Sequence, residues 1–180
     1  MSGHNKWSKI KHKKGAEDAK KSKVFSMLSR QIAIEARASG GDKNSPRLRT
    51  IIEKARKANM PSDNIDRAIA KATGAGSSEF EEVLYEAYGP GGVALIIEGI
   101  TDNKNRTSAE MRHLLSEKGV SVGTPGSVLW AFDRTEEDGV LVWKPKTTTP
   151  LADDDSEKLA NLIEEIEEHD DIKHVFTNEE

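Results

Sequence analysis

The spacing of apolar residues changes once along the chain, and that change limits the fold more than any other feature of the sequence. Up to residue 73 the apolar side chains recur every three or four positions, the spacing of amphipathic helices. After the glycine- and serine-rich stretch 74–78, short runs rich in Val, Ile and Leu alternate with helical stretches. The sequence therefore predicts a helical domain over 1–76 and an α+β domain over 77–180.

Three helices are predicted in the first domain. The first covers 16–38 and ends at Gly40-Gly41, the second opens at Pro46, and the third is capped by Ser62. Their apolar stripes can bury one another, which predicts a three-helix bundle. Residues 1–14 have no usable apolar period and are expected to form an extended arm.

The second domain is predicted to be a small α/β sandwich with one mainly antiparallel sheet and helices on one face. Five strands are predicted in this domain, over 83–88, 93–100, 127–132, 140–143 and 172–177. Two helices are predicted, over 105–118 and 153–168. The segment YGPGG at 88–92 lacks the Lys-Ser/Thr pair of a P-loop and precedes a strand. A tight hairpin turn is therefore predicted there, not a phosphate cradle.

The charge is divided in the same way as the apolar spacing. The chain has a net charge of −4, but residues 1–73 carry a net +11 and residues 74–180 a net −15. Such asymmetry is typical of a cationic module that meets nucleic acid or another polyanion. The alternative is that the charges only solvate exposed helix faces.

The basic module begins with GHNKWSKIKHKK at 3–14, which holds five Lys and two His but no acid. Many Lys side chains without a groove-reading helix favour recognition of the phosphate backbone and of shape. Trp7 can stack on a base or pack on the bundle, and the sequence leaves both open. The predicted nucleic-acid contacts are Lys6, Trp7, Lys9, Lys11, His12, Lys13 and Lys14, then Lys20, Lys23 and Arg30, then Arg47, Arg49 and Arg56.

Catalytic chemistry is poorly supported. The chain has no Cys, and its five His show no metal-ligand spacing. Glu98, Asp102 and Glu110 could meet at a sheet edge and hold Mg²⁺, but nothing in the sequence fixes their geometry. We therefore expect no enzyme activity, no metal or other cofactor and no small-molecule substrate. No apolar run approaches the ~20 residues of a membrane span, and no secretory signal is present, so we expect a cytoplasmic monomer.

Several segments resemble the YebC/PmpR family, which includes the mitochondrial translational activator of cytochrome c oxidase. These segments are GHNKWSKIKHKKGAEDAKKSKVF at 3–25, PRLRTIIEKARKANMP at 46–61, NIDRAIAKATG at 64–74, YEAYGPGGVALIIE at 85–98, TDNKNRT at 101–107 and GTPGSV at 123–128. Besides arm residues already given, the motif positions are Gly3, His4, Tyr88, Gly89, Pro90, Gly91, Gly92, Asn105, Arg106 and Thr107. The resemblance covers nearly the whole chain.

The resemblance implies an N-terminal helical domain and two α/β domains, with the third inserted in the second. Here the chain runs from GSVLWAFDR through TEEDG directly into VLVWKPKTTTPL, so the inserted domain is predicted to be absent near 133–140. The resemblance also implies a non-enzymatic regulator of gene expression. The first hypothesis is a translation factor that binds rRNA at the ribosome and relieves stalled elongation. The alternative is a DNA-binding transcriptional regulator that uses the same basic surface.

Overall fold

The structure, a computed structural model, describes residues 14–74, 79–137 and 140–180. Residues 1–13 of the arm predicted over 1–14, and residues 75–78 of the glycine- and serine-rich stretch, lie outside the described residues. Two compact units are present. The helical unit comprises Lys13–Glu82 with Ile100–Asn103, and the α/β unit includes Val83–Gly99 and Lys104–Glu180.

The helical unit contains α1 (Lys14–Ala38), α2 (Pro46–Lys57) and α3 (Ser62–Thr73). Helix α1 ends where predicted, because Gly40 and Gly41 both have positive φ and the Gly41 N–H bonds to the Ala36 carbonyl at 2.7 Å. Pro46 occupies the first turn of α2, as predicted. The three helices share one apolar core formed by Leu28, Ile32, Ala36, Leu48, Ile52, Ala55, Met60, Ile65, Ile69 and Ala72.

The prediction that Ser62 caps α3 is wrong. The capping residue is Pro61, whose carbonyl accepts the first helical hydrogen bonds from the N–H groups of Asn64 (3.0 Å) and Ile65 (3.3 Å). Ser62 already lies inside the first turn, where its hydroxyl is past the capping position. The fixed φ of proline therefore starts the helix one residue earlier than the side-chain pattern indicated.

The α/β unit is built on a three-stranded antiparallel sheet. Its strands are β1 (Glu81–Tyr88), β2 (Ala94–Thr101) and β5 (Ile172–Thr177), in the order β1-β2-β5. Strand β2 is central and pairs antiparallel with β5 through the register Leu95↔Thr177 to Gly99↔Ile172. The predicted α+β class is confirmed.

The two helices of this unit are α4 (Lys104–Glu117) and α5 (Asp153–Glu168), which cover one face of the sheet. That face forms the larger core, in which side chains of β1 and β2 meet Met111 and Leu115 of α4 and Leu159 and Ile166 of α5. On the opposite face, Ala94 and Ile96 of β2 pack with Val128, Ala131 and Phe132. Strand β2 is apolar almost throughout because it is buried on both faces.

The predicted single sheet is wrong, because the unit contains a second, two-stranded sheet. Its strands are β3 (Phe132–Glu137) and β4 (Val140–Pro145), paired antiparallel from Phe132↔Pro145 to Glu137↔Val140. The predicted strand over 127–132 is also wrong. Its last residues instead form a 3₁₀ turn, Leu129–Ala131, and only Phe132 begins a strand. The N–H groups of Val128 and Leu129 bond to a side chain, and those of Ser127 and Ala131 bond to carbonyls within turns, so these groups cannot join a sheet ladder.

No helix among the described residues has both the length and the apolar character that crossing a membrane requires.

Candidate nucleic-acid interface

Helix α2 exposes basic side chains on both sides of its buried stripe. Arg49 and Arg56 are seven residues apart, about two turns, so they lie on the same side of the helix, roughly 10.5 Å apart along its axis. Arg47 and Lys54 have the same spacing on the other side. All four side chains are exposed. Helix α2 therefore presents two short rows of positive charge to solvent.

The three arginines of α2 are weakly engaged within the protein. Arg49 lies 3.9 Å from the Glu53 carboxylate, and both side chains are largely exposed. Exposed pairs of this kind contribute about 0–1 kcal/mol, so a phosphate can replace the carboxylate at little cost. Arg47 and Arg56 form no ion pair with any residue that the structure describes. The geometry of α2 suits contact with a polyanion.

Helix α1 divides its basic residues between solvent and protein. Lys20 is exposed and Lys23 is half-buried. Arg30 is also half-buried, since its Nη1 donates to the Ile100 carbonyl at 2.8 Å and its guanidinium lies 5.7 Å from the centre of the Phe80 ring. This carbonyl therefore engages one of the five guanidinium N–H donors of Arg30, a predicted nucleic-acid contact.

Eight predicted contact and motif residues of the arm lie outside the described residues: Gly3, His4, Lys6, Trp7, Lys9, Lys11, His12 and Lys13. Lys14 is the first residue of α1.

The motif at 88–92 forms the predicted hairpin connection between β1 and β2. Pro90–Gly92 make one 3₁₀ turn, and the Gly89 N–H donates to the Val93 carbonyl at 2.8 Å. Gly91 has φ +67°, and a Cβ there would collide with the Leu151 side chain. The glycine is therefore explained by backbone conformation and close packing, without a ligand.

The first turn of α4 carries the motif residues Asn105, Arg106 and Thr107. Asn105 is exposed. Arg106 Nη2 and Thr107 Oγ1 both donate to one carboxylate oxygen of Asp171, at 2.9 and 2.6 Å. Asp171 is only 3% exposed, so this carboxylate requires such partners. These motif positions thus connect α4 to the residue that precedes β5.

Glu110, His169 and Asp171 bring potential metal-ligand atoms within 4.8 Å of one another. The Arg106 guanidinium already lies against this group, 2.9 Å from Asp171 and 3.9 Å from Glu110. His169 Nε2 lies 3.0 Å from Glu110 Oε2, and its Nδ1 accepts the Asp171 N–H at 3.1 Å. The cluster is a network of ion pairs and hydrogen bonds within the protein, in which the Arg106 guanidinium lies against both carboxylates.

The structure does not support the magnesium site considered for Glu98, Asp102 and Glu110. Glu98 accepts the indole N–H of Trp143 at 2.8 Å and faces the Lys173 ammonium at 3.7 Å. It does not join Glu110 in any metal-like group among the described residues.

Glu86 is a structurally important residue that sequence reasoning missed. It is 3% exposed, and its carboxylate accepts the backbone N–H groups of Gly126 (2.6 Å), Val128 (2.7 Å) and Leu129 (3.1 Å). An acid between Tyr85 and Ala87 in an apolar strand was the available signal, since a buried carboxylate needs several donors.

Comparison with known proteins adds the family context. Residues 5–75 match the profile described as "TACO1/YebC protein N-terminal domain". Residues 80–137 and 135–179 match "TACO1/YebC second and third domain" in two separate pieces. The two pieces meet within β3.

Relatives named "Probable transcriptional regulatory protein" share much of the chain. The protein of Fervidobacterium nodosum is 41% identical, over 99% of this chain and 93% of its own length. That of Petrotoga mobilis is 57% identical over 74% of this chain and 54% of its own length. The crystal structure of a conserved hypothetical protein, Aq1575, from Aquifex aeolicus has a TM-score of 0.82 at 32% identity and covers 95% of both chains.

The alignment with the Fervidobacterium protein also supports the short form. It spans 235 positions, whereas this chain has 180 residues, so at least 55 positions (235 minus 180) have no counterpart here. The predicted absence of the inserted domain is consistent with that difference.

Proposed function

The chain belongs to the TACO1/YebC family, and on that premise we propose that it is a nucleic-acid-binding regulator of gene expression that works without catalysis. The first candidate function is that of a translation factor, which binds rRNA at the ribosome and relieves stalled elongation. The observation that carries the proposal is the set of exposed, weakly paired arginines around α2.

Physical chemistry supports phosphate as the ligand of this surface. Arg presents a planar fork of donors that fits a phosphate with two hydrogen bonds. A net charge of +11 over residues 1–73 attracts a polyanion although the whole chain is acidic. The two rows of basic side chains on α2 are each about two helical turns long. They can contact successive phosphates of a nucleic-acid backbone without contacting bases, as sequence-independent binding requires.

A DNA-binding transcriptional regulator is the second candidate, and the names of the relatives favour it. Both candidates use the same charged surface, because RNA and DNA both present a phosphate backbone with one negative charge per nucleotide. The two candidates differ in the cellular binding partner, which is the ribosome for a translation factor and promoter DNA for a transcriptional regulator.

The first test of the proposal removes positive charge from α2. We expect Arg47→Gln, Arg49→Gln and Arg56→Gln together to weaken binding to every sequence alike. The dependence of log K on log salt should become shallower by about 0.7 per lost contact on single strands and about 0.9 on duplex DNA. The measurement is fluorescence anisotropy over a salt series.

The matched control neutralises three exposed cations of the α/β unit, with Arg112→Gln, Lys118→Gln and Lys158→Gln. It changes the net charge equally but should leave the salt slope unchanged. Equal losses in both triple variants would show that only total charge matters and would contradict an interface on α2.

Sedimentation of a lysate separates the two candidates. A ribosomal translation factor should sediment with ribosomal particles at low salt and leave them as salt rises. A protein that stays in the free fraction and protects defined promoter DNA would instead be the transcriptional regulator.

A further inference from the structure

Two exposed aromatic side chains lie side by side on the α/β unit. Trp130 is 59% exposed and Tyr88 is 44% exposed, although large apolar rings are usually buried. Trp130 Nε1 lies 3.3 Å from the Tyr88 hydroxyl oxygen. The two rings therefore form one patch, although 42 residues separate them in the sequence.

The polar atoms of both rings are already satisfied within the protein. The Tyr88 hydroxyl donates to the Ser127 carbonyl at 2.8 Å, and Trp130 Nε1 donates to the same carbonyl at 2.9 Å. What remains for a ligand is the apolar surface of the rings. A partner would be recognised mainly by stacking, and far less by hydrogen bonds to these side chains.

The patch is held in place before any ligand arrives. Ser127 lies in the segment whose N–H groups bind the buried Glu86 carboxylate, one residue before Val128. Glu86 and Tyr88 are both on β1, and Trp130 is in the 3₁₀ turn that follows the anchored segment. Because the anchors are fixed, little rotational freedom of the rings is lost on binding.

Lys146 is bonded through its backbone to the residue next to Trp130, in a unit whose net charge is negative. The Lys146 N–H donates to the Ala131 carbonyl at 2.8 Å, which places Lys146 beside the residue that follows Trp130. Its ammonium group pairs with Asp133 at 3.1 Å, but both side chains are about half exposed. Exposed pairs contribute little, so the ammonium can exchange its carboxylate for a phosphate.

We propose that Tyr88 and Trp130 form a stacking platform for an unpaired nucleotide, with Lys146 contacting the adjacent phosphate. Exposed aromatic rings beside a cation are how proteins hold single-stranded nucleic acid without reading its sequence. The inference rests on the proposed function and deepens it, since it adds preference for unpaired strands to the charge-based binding by α2.

The test compares a labelled short oligouridine with a labelled RNA duplex in anisotropy titrations of the full chain. Trp130→Ala should weaken oligouridine binding about 5- to 150-fold, equivalent to ~1–3 kcal/mol for one stacked base, and leave duplex binding within about twofold. Trp130→Phe keeps a ring and should retain most of the affinity. Lys146→Gln should make the oligouridine salt slope shallower by about 0.7.

The matched control is Leu141→Ala, which removes another exposed apolar side chain from the same unit. It should leave oligouridine binding unchanged. Equal losses in the Leu141 and Trp130 variants, or unchanged oligouridine binding by Trp130→Ala, would overturn the platform. A shift in oligomeric state in the Trp130 variant without loss of oligouridine binding would overturn it in favour of contact between copies.

The results also separate this inference from the function on which it rests. If the α2 arginine variant loses binding and Trp130→Ala does not, the platform fails and the proposed function stands. If only Trp130→Ala loses binding, the α2 interface fails. If the unaltered protein binds neither probe, both fail.

Discussion

Glu86 shows how one buried side chain determines the path of a distant loop. A buried carboxylate loses its hydrogen bonds to water. At Glu86, three backbone N–H groups from residues 126–129 take the place of that water. In addition, the Glu86 carbonyl accepts the Gly123 N–H at 2.6 Å. One residue thus fixes both ends of a segment nearly forty positions away.

We predict that Glu86→Gln destabilises the protein by about 2 kcal/mol, the scale of hydrogen bonds to a charged group. The amide keeps the size of the side chain but turns an N–H₂ group toward backbone donors. Urea unfolding measures the loss. Glu82→Gln, an exposed change on the same strand, should alter the unfolding free energy by less than about 0.5 kcal/mol.

Trp7 still has two possible roles, and one substitution separates them. If its ring stacks on a base, Trp7→Ala should lower affinity about fivefold or more and leave the melting temperature unchanged. If it packs on the bundle, the same change should lower the melting temperature, and the affinity should follow only through unfolding. Calorimetry and anisotropy on one preparation distinguish the outcomes.

At the scale of elements, strong apolar periods predicted the structure well. Helix α5 and strand β5 have the predicted bounds, and the three helices of the helical unit were found in order. The exposure of Arg47, Arg49 and Arg56 also follows from the period of α2, because their positions flank its buried stripe.

The features that the apolar spacing did not predict depend on partners distant in the sequence. Residues 127–132 are rich in Val, Leu and aromatic side chains, as a strand would be, but the N–H groups of Val128 and Leu129 are bound by Glu86 from another strand. Nothing in the local sequence separates Arg30 from Lys20 or Arg37, the exposed basic residues of the same helix, but its partner is the Ile100 carbonyl, 70 residues away. Local sequence does not contain such partners.

The core of the helical unit offers a test at this scale. Ile32 on α1 is fully buried among the three helices, so Ile32→Ala should cost about 2–5 kcal/mol through lost contacts and a cavity. Val24 is on the same helix but 47% exposed, and Val24→Ala should cost far less. Denaturation followed by circular dichroism would detect the difference, and similar costs would contradict the assignment of this core.

At the scale of the molecule, the short form has a local explanation. Strands β3 and β4 pair up to Glu137↔Val140, and the family match divides within β3. Residues 138–139 alone separate these paired ends. Paired residues of antiparallel strands lie about 5 Å apart, so either a two-residue connection or a whole domain can join them.

We predict that this position accepts new sequence. A Gly-Ser loop that lengthens the connection to about twelve residues should cost about 1.6 kcal/mol in loop-closure entropy. Nucleic-acid binding should be unchanged, since neither α2 nor Trp130 is altered. Thermal melting and anisotropy check both statements, and failure to fold would mean that the short connection is required.

The Glu86 anchor has a further consequence for hydrogen exchange. Residues 126–129 form neither a regular helix nor a strand, and such a segment would ordinarily exchange its amide protons quickly with solvent deuterium. The amides of Gly126, Val128 and Leu129 are bonded to an ion that water scarcely reaches. They should therefore exchange as slowly as the sheet beside them, and an irregular loop should behave as part of the slowest-exchanging core.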